Sequence, residues 1–293
     1  MEQIQTQNTE FLDFEKAKVQ TLTLEQLKRT HEENDTLGYP LKGMYHWQVI
    51  EMCRDIAAKH GLKMQIEEIF AAQNRDKSQP GVVRLPEVEK RYGYKAVEAY
   101  VLRRVYANIR ILDYDTEEFT SNLAIAFHQD GIQVGFGTMV KICHNQCILG
   151  ADRIISNYGR NKRDMNQIHD EVDSWMAKSG HIITEEQERI NRMRSTIMNP
   201  GKILQIIGEL TAIRVAHDSS NQTIRIRETY PLSQTQINLF TEALLIKQKE
   251  QDFVTLWDIY NTATELYKAD RMEIPNVLPQ NCAMNEYLDR YIL

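Results

Sequence analysis

Cysteine is scarce in this sequence, and long apolar runs are missing from it. Four cysteines spread over 293 residues do not describe a disulfide framework and suit a reducing compartment. No apolar run approaches 18 residues, so we expect no membrane-spanning helix and no membrane partner. The polar start, Met1-Glu2-Gln3, has no signal-peptide core, which predicts a cytoplasmic protein.

Common catalytic motifs are also missing. The sequence has no Gly-x-Ser-x-Gly, no Walker sequence and no His-Glu-x-x-His. Gly135-x-Gly137 lies inside a predicted strand and does not lead into a helix, so it is not a phosphate-binding loop. His169-Asp170-Glu171 lies on a predicted helix whose other face is apolar, which favours a solvated helix face over a nuclease metal site. We therefore predict that the protein is not an enzyme and needs no cofactor.

One segment has the residue types of a metal site. Cys143-His144-Asn145-Gln146-Cys147 offers three ligand side chains, but zinc normally takes four, and no second Cys/His pair follows at a zinc-finger spacing. Cys53 and Cys282 are remote from this segment. We predict structural cysteines and no bound metal.

The charge of the chain is unevenly distributed. The net charge is −6, which argues mildly against a nucleic-acid partner. Residues 81–163 nevertheless carry 12 Lys/Arg against 9 Asp/Glu, whereas residues 164–293 carry 13 against 19. The basic excess therefore coincides with the part of the chain that is predicted to form strands.

A β-hairpin is the strongest local signal. Residues 122–129 and 132–142 alternate apolar and polar side chains, and only Asp130-Gly131 separates them, a dipeptide typical of type I′ turns. This turn predicts four cross-strand pairs: Gln129 with Ile132, Phe127 with Val134, Ile125 with Phe136, and Leu123 with Thr138. One face of the hairpin then forms a core layer.

The opposite face of this hairpin is almost without side chains. The predicted register places Ala126 against Gly135 and Ala124 against Gly137. Such a floor admits a second backbone, a packed helix or a ligand.

A long strand is predicted directly before the hairpin, over residues 97–114. Its odd-numbered positions are mostly apolar and predict a buried face. Its even-numbered positions include aromatic and basic residues, with Asn108 among them: Tyr100, Arg104, Tyr106, Arg110 and Tyr114. Aromatic rings that stack on bases, beside guanidinium groups that hold phosphates, are typical of single-strand binding sites. Lys141, Arg160, Lys162 and Arg163 would extend this track. The alternative is an ordinary half-exposed sheet surface that packs under a C-terminal helix.

The order of the predicted elements indicates an α+β fold. A flexible arm is predicted over residues 1–20, an α+β core domain over 21–180, and a helical region over 181–293. In the core domain, a long strand and the Asp-Gly hairpin form a central antiparallel sheet. An amphipathic helix that carries Met165, Ile168, Val172, Trp175 and Met176 packs on that sheet.

Two short segments resemble a known group of proteins. Residues 142–147 (Ile-Cys-His-Asn-Gln-Cys) and 256–261 (Leu-Trp-Asp-Ile-Tyr-Asn) resemble motifs of phage- and plasmid-encoded proteins grouped as the DUF932 and DUF3871 domains of unknown function. Thr21–Arg29 and His46–Asp55 are similar to their N-terminal half. The resemblance implies a phage, plasmid or integrated element as the origin and therefore a bacterial host cell, and it implies no activity.

The predicted strand–hairpin–helix arrangement is similar to the core of phage single-strand annealing proteins of the Rad52/RecT kind. Together these observations predict a non-enzymatic protein that binds single-stranded DNA, with RNA as an alternative, in recombination and as a homo-oligomer. The main rival is a protein-interaction factor, such as a host-defence inhibitor or a virion-associated component, without nucleic-acid binding.

Overall fold

The computed structural model describes residues 19–36, 43–72, 82–83, 99–100, 104–128, 131–141, 145–147, 154–157, 162–218, 230–267 and 274–292. Within these ranges, an antiparallel sheet fills most of the first half of the chain and helices fill the second half. The predicted α+β class, with its mostly helical C-terminal half, is confirmed.

The main sheet has seven strands among the described residues. They are β1 (Val19–Leu22), β2 (Met64–Ala72), β5 (Arg104–Ile111), β6 (Phe119–His128), β7 (Gly131–Val140), β8 (Asn145–Cys147) and β9 (Ile154–Asn157). The order is β1-β2-β5-β6-β7, and both β8 and β9 pair with the outer edge of β7. β3 (Val82–Val83) and β4 (Ala99–Tyr100) form a separate two-stranded ladder.

The prediction of one continuous strand over residues 97–114 is wrong in its extent. β4 belongs to the small ladder, and β5 alone joins the main sheet. At its far end the chain turns into a 3-10 turn, Leu112–Tyr114, where the Asp113 carboxylate accepts a hydrogen bond from the backbone N–H of Lys63 at 2.5 Å. The odd-numbered side chains of β5 are buried as predicted.

The predicted hairpin exists, but its register is offset by two residues. Phe127 pairs with Ile132, Ile125 with Val134, Leu123 with Phe136 and Ser121 with Thr138, and the ladder starts where His128 faces Gly131. Gly131 is thus a strand residue, whereas the prediction placed it in the turn. Because side chains alternate with a period of two, an even offset keeps every residue on its predicted face.

The first hydrophobic cluster lies on the face of the sheet that carries the odd-numbered residues of β5 and β6, which we call the inner face. Four helices cover it: α1 (Leu24–Thr36), α2 (His46–Lys59), α3 (Lys162–Ala177) and the start of α4 (Ser179–Ser195). The predicted stripe of α3 is buried there, and the Trp175 ring stacks on Phe136 with 6.3 Å between centroids.

A second hydrophobic cluster organises the helical half. It joins the end of α4 to α5 (Pro200–Asp218), α6 (Gln234–Glu250), α7 (Leu256–Glu265) and α8 (Ile274–Leu288). A short ladder of β10 (Ile197–Met198) with β11 (Val254–Thr255) ties the start of α5 to the end of α6. Since α4 contributes to both clusters, the domain boundary at residue 180 stays a prediction.

Helix α8 packs on the outer face of the sheet, opposite the first cluster. Val277 and Leu278 contact a small cluster made with Tyr106, Ala124 and Ala126. The floor of small residues that the sequence indicated is therefore filled by a packed helix, because Ala124 faces Gly135 across the hairpin and leaves room for the helix to approach.

We predict that Ala124→Leu lowers the free energy of unfolding by about 1–3 kcal/mol, because the extra carbons have no space under α8. Urea denaturation measures the loss. Ala58→Leu makes the same change at an exposed position of α2 and should stay within about 0.5 kcal/mol of wild type. An Ala124→Leu protein as stable as wild type would contradict this packing.

Candidate interaction surface

The strand face predicted to bind nucleic acid is largely covered at its centre. Tyr106 is 5% exposed beneath α8, and burial, with a further contribution from the Glu68 carboxylate, raises the pKa of its phenol. The next even-numbered residue, Asn108, is also buried and hydrogen-bonds Asn122 and the Met139 sulfur. Tyr106 therefore presents no ring face on which a base could stack, and its prediction as an exposed stacking residue is corrected.

The predicted phosphate ligands at the end of β5 have an acidic partner within the chain. The Asp115 carboxylate accepts hydrogen bonds from Arg110 Nε at 3.2 Å and from Thr120 Oγ1 at 2.5 Å, and Lys141 Nζ lies 3.5 Å away. Burial opposes ionisation of Asp115, but the hydrogen bonds from Arg110 and Thr120 outweigh it and hold its pKa below the ordinary value. Two of the predicted cations are thus tied to one carboxylate.

The remaining predicted residues do not join a single track. The Tyr114 hydroxyl bonds Ser179 Oγ at 2.8 Å and its ring packs against the first cluster, on the inner face. Arg104 is half-buried at the start of β5, and Arg163 is exposed in the first turn of α3. Arg160 and the side chains of Tyr100 and Lys162 lie outside the described residues.

The cysteine predictions concern residues at the border of the described ranges. Cys143 lies outside them, and Cys147 belongs to β8. Among the described residues, no group of three or more His, Cys, Asp or Glu could hold a metal ion. Cys53 is fully buried, and burial raises the pKa of its thiol to about 12, so it is not a thiolate nucleophile at neutral pH.

An open groove of about 510 Å³ lies between α2 and α3. Its walls include Trp47, Glu51, Lys59 and His169. The Glu51 carboxylate accepts from Lys28 Nζ at 2.8 Å, and that ammonium lies 5.2 Å from the Trp47 ring centroid. Lys59 Nζ is paired with Asp173 at 2.9 Å. The groove's charges are thus engaged by neighbouring side chains.

A surface of a different kind lies on the antiparallel helix pair α5–α6. Eight large apolar side chains among the described residues are exposed, and only Leu112 lies elsewhere. The other seven are on the two helices and their β10–β11 ladder, each 39–61% exposed: Ile197, Leu204, Val215, Leu239, Leu245, Ile246 and Phe253. We call this set the α5–α6 apolar face.

Contacts on the flanks of the two helices orient this face toward solvent. On α5, the Glu209 carboxylate accepts from the hydroxyls of Tyr287 at 2.9 Å and Tyr291 at 3.1 Å. On α6, Gln236 Nε2 donates to the carbonyl of Leu266 at 3.3 Å, which fixes the flank that faces α7. With the second cluster below and these partners beside them, the helices turn their exposed apolar side chains outward.

The ladder end of the pair adds two more exposed apolar side chains. Ile197 pairs with Thr255 in the β10–β11 ladder, and Phe253 precedes Thr255 by two residues. Ile197 and Phe253 are both more than half exposed.

Sequence reasoning missed this face because the two helices lack a clean polar side. The stripe Ile203, Ile206, Leu210 of α5 is buried in the second cluster, yet Leu204 and Val215 stand outside it. The sequence signal that could have identified them is the number of apolar residues outside the buried stripe, because apolar residues around most of a helix indicate a second contact surface.

No protein-family model, curated protein or solved structure matches the chain. The resemblance to phage- and plasmid-encoded proteins therefore stays a prediction. Among the described residues, no helix has the length and apolar character needed to cross a membrane.

We predict that Tyr106→Ala destabilises the fold by about 3–5 kcal/mol, the usual cost of removing a buried aromatic ring. Tyr106→Phe keeps the packing and should cost about 1 kcal/mol. Denaturant titration measures both. The nucleic-acid hypothesis instead expects Tyr106→Ala to keep wild-type stability and to weaken binding to oligo-dT in a fluorescence-anisotropy titration, and that result would overturn the packing argument.

A further prediction concerns Asp115→Asn. The lowered pKa of Asp115 means that the carboxylate stabilises the folded state above its ordinary pKa, and that this contribution is lost as pH falls through the lowered value. At pH 7 the variant should lose about 1–2 kcal/mol, since the network is partly exposed. The difference from wild type should shrink as pH falls below about 4. Thermal melts across this range measure it; a difference independent of pH would refute the assignment.

Proposed function

We propose that this chain is a non-catalytic assembly protein that works as a homo-oligomer, with its subunits joined through the α5–α6 apolar face. The observation that carries the proposal concerns the residues that the structure describes: seven of their eight exposed large apolar side chains lie on this pair of helices and its ladder end. Isolated exposed apolar residues are normal on a soluble protein, whereas several of them gathered on one pair of helices are typical of an interaction surface.

The size of the face is adequate for a subunit contact. α5 has 19 residues and α6 has 17. At 1.5 Å per residue the two helices are about 25 Å long, and side by side they span about 20 Å. A surface of these dimensions supplies a large part of the roughly 800 Å² per partner that stable interfaces bury.

The charge distribution favours a second copy of the chain as the partner. The chain as a whole carries −6, so two copies repel each other through most surfaces. α5 contains two basic and two acidic residues, and so does α6, which leaves this pair of helices with no net charge. Two copies therefore meet with least repulsion here, whereas a strongly basic partner would be attracted elsewhere.

This proposal corresponds to the interaction-protein alternative from the sequence. The described part of β5 offers no exposed aromatic ring at position 106, which leaves the nucleic-acid hypothesis to Tyr100, Arg104, Arg160, Lys162 and Arg163. A role in a virion or in another phage or plasmid assembly is consistent with a self-associating, non-catalytic subunit.

We expect the wild-type chain to sediment as a dimer or larger oligomer at protein concentrations of about 10–100 μM. A contact with a binding free energy of about −8 kcal/mol is mostly formed at these concentrations. Leu204→Ser combined with Ile246→Ser removes one apolar anchor from each helix and should shift the protein to monomer. Its melting temperature in dilute solution should stay near that of wild type, because both side chains are exposed.

Leu112→Ser is the matched control, since Leu112 is an exposed large apolar residue that lies outside the face. It should leave the mass unchanged. A wild-type protein that is monomeric throughout this concentration range would refute the proposed function.

A further inference from the structure

One line of residues along α5 has an unusual symmetry. Leu204, Gly208, Thr211 and Val215 follow at spacings of four, three and four, so they form one stripe along the helix. Leu204 and Val215 are both 59% exposed. A Cβ built on Gly208 meets no atom within 4 Å, and the half-buried Thr211 turns its hydroxyl back to the Ile207 carbonyl at 2.8 Å. The stripe is therefore large at both ends and small in the middle.

The order of side-chain sizes along the stripe is the same from either end: large, small, small, large. A two-fold axis through its midpoint places Leu204 opposite the partner's Val215 and Gly208 opposite the partner's Thr211. In an isologous contact residue i of one subunit meets residue j of the other and j meets i, so this register brings the small residues together at the crossing point and the large ones together at both ends. We propose that two copies of the chain pair α5 against α5 in antiparallel orientation with this register, which rests on the proposed function and specifies its contact.

The residues around the stripe are compatible with close approach. Glu209, the acidic residue nearest the midpoint, is held on the flank by Tyr287, Tyr291 and Arg290. The Arg214 guanidinium lies over the Tyr230 ring, 4.4 Å from its centroid. Helices with small residues at the crossing point approach to about 8 Å, and a glycine in the middle of the stripe allows that distance.

The register is tested by disulfide cross-linking. In the Leu204→Cys/Val215→Cys double variant, each new thiol faces a thiol of the partner, and mild oxidation should give a covalent dimer on a non-reducing gel. In Leu204→Cys alone, the two thiols of the dimer are about 16 Å apart along the helices, far beyond the roughly 7 Å limit between Cα atoms. The single variant should stay uncross-linked. Both variants carry Cys143→Ser and Cys147→Ser, so that the remaining native cysteines are Cys53 and Cys282, which are buried.

A second variant tests the close approach. Gly208→Leu adds a large side chain where the monomer has open space, and leucine favours a helix more than glycine does, so the monomer should be at least as stable as wild type. In the dimer the same side chain collides with the partner's helix. We expect the dimer dissociation constant to rise by at least about tenfold in sedimentation equilibrium.

The outcomes separate this inference from the proposed function. Suppose that the wild type is a dimer, but the double-cysteine variant forms no disulfide between positions 204 and 215, or Gly208→Leu leaves the dimer intact. Either result overturns the antiparallel α5 contact and leaves assembly through another part of the face. A monomeric wild type overturns both.

Discussion

The structure depends on one helix that is buried from both sides. From Val277 to Leu288 of α8, only Pro279 and Glu286 are not buried. Val277 and Leu278 pack on the sheet, and Met284, Tyr287 and Leu288 pack in the second cluster. α8 therefore joins the β-rich half to the helical half, which explains how helices far along the chain complete the outer face of the sheet.

Polar side chains fix the rotation of α8 within this apolar site. The Tyr260 hydroxyl donates to Asn281 Oδ1 at 2.7 Å, and Arg189 Nη2 donates to Asn285 Oδ1 at 2.8 Å. Buried amides are costly unless they are bonded, so turning the helix would leave these groups without partners. Apolar packing thus supplies most of the stabilisation, and the amides select one orientation.

The same principle explains why basic residues near the sheet are a poor guide to a ligand. Arg110 and Lys141 meet Asp115, Arg194 meets Glu118, and Arg290 meets Glu209. A count of the charged residues in 81–163 gives a small basic excess, but it does not show which cations and carboxylates form ion pairs. Only the fold brings Glu118 next to Arg194, which lies 76 residues later in the sequence.

What the sequence could predict follows the range of the interactions involved. The inner face of β5 and β6 and the buried stripe of α3 were predictable, because a period of two or 3.6 is a local property. The predicted hairpin register was wrong by two residues because Gly131 pairs within β7. The hydrogen-bonded pairing of ten residues in each strand sets this register, and the turn dipeptide alone does not show it. The outer face could not be predicted from β5 alone, because polar and aromatic residues there meet α8, about 170 residues further along the chain.

The α5–α6 apolar face is held in place from every side but one. The β10–β11 ladder ties the start of α5 to the end of α6. Glu209 accepts hydrogen bonds from the hydroxyls of Tyr287 and Tyr291, and Lys247 lies 3.9 Å from Asp258 of α7. Each anchor already restricts the helices in the single subunit, so less conformational freedom would be lost on association. A rigid surface loses little conformational entropy on binding, so less of the free energy of apolar burial is needed to offset that loss. An apolar face of moderate area can therefore support a specific contact. In the proposed assembly, the anchors fix the geometry of the face and the exposed side chains supply the attraction.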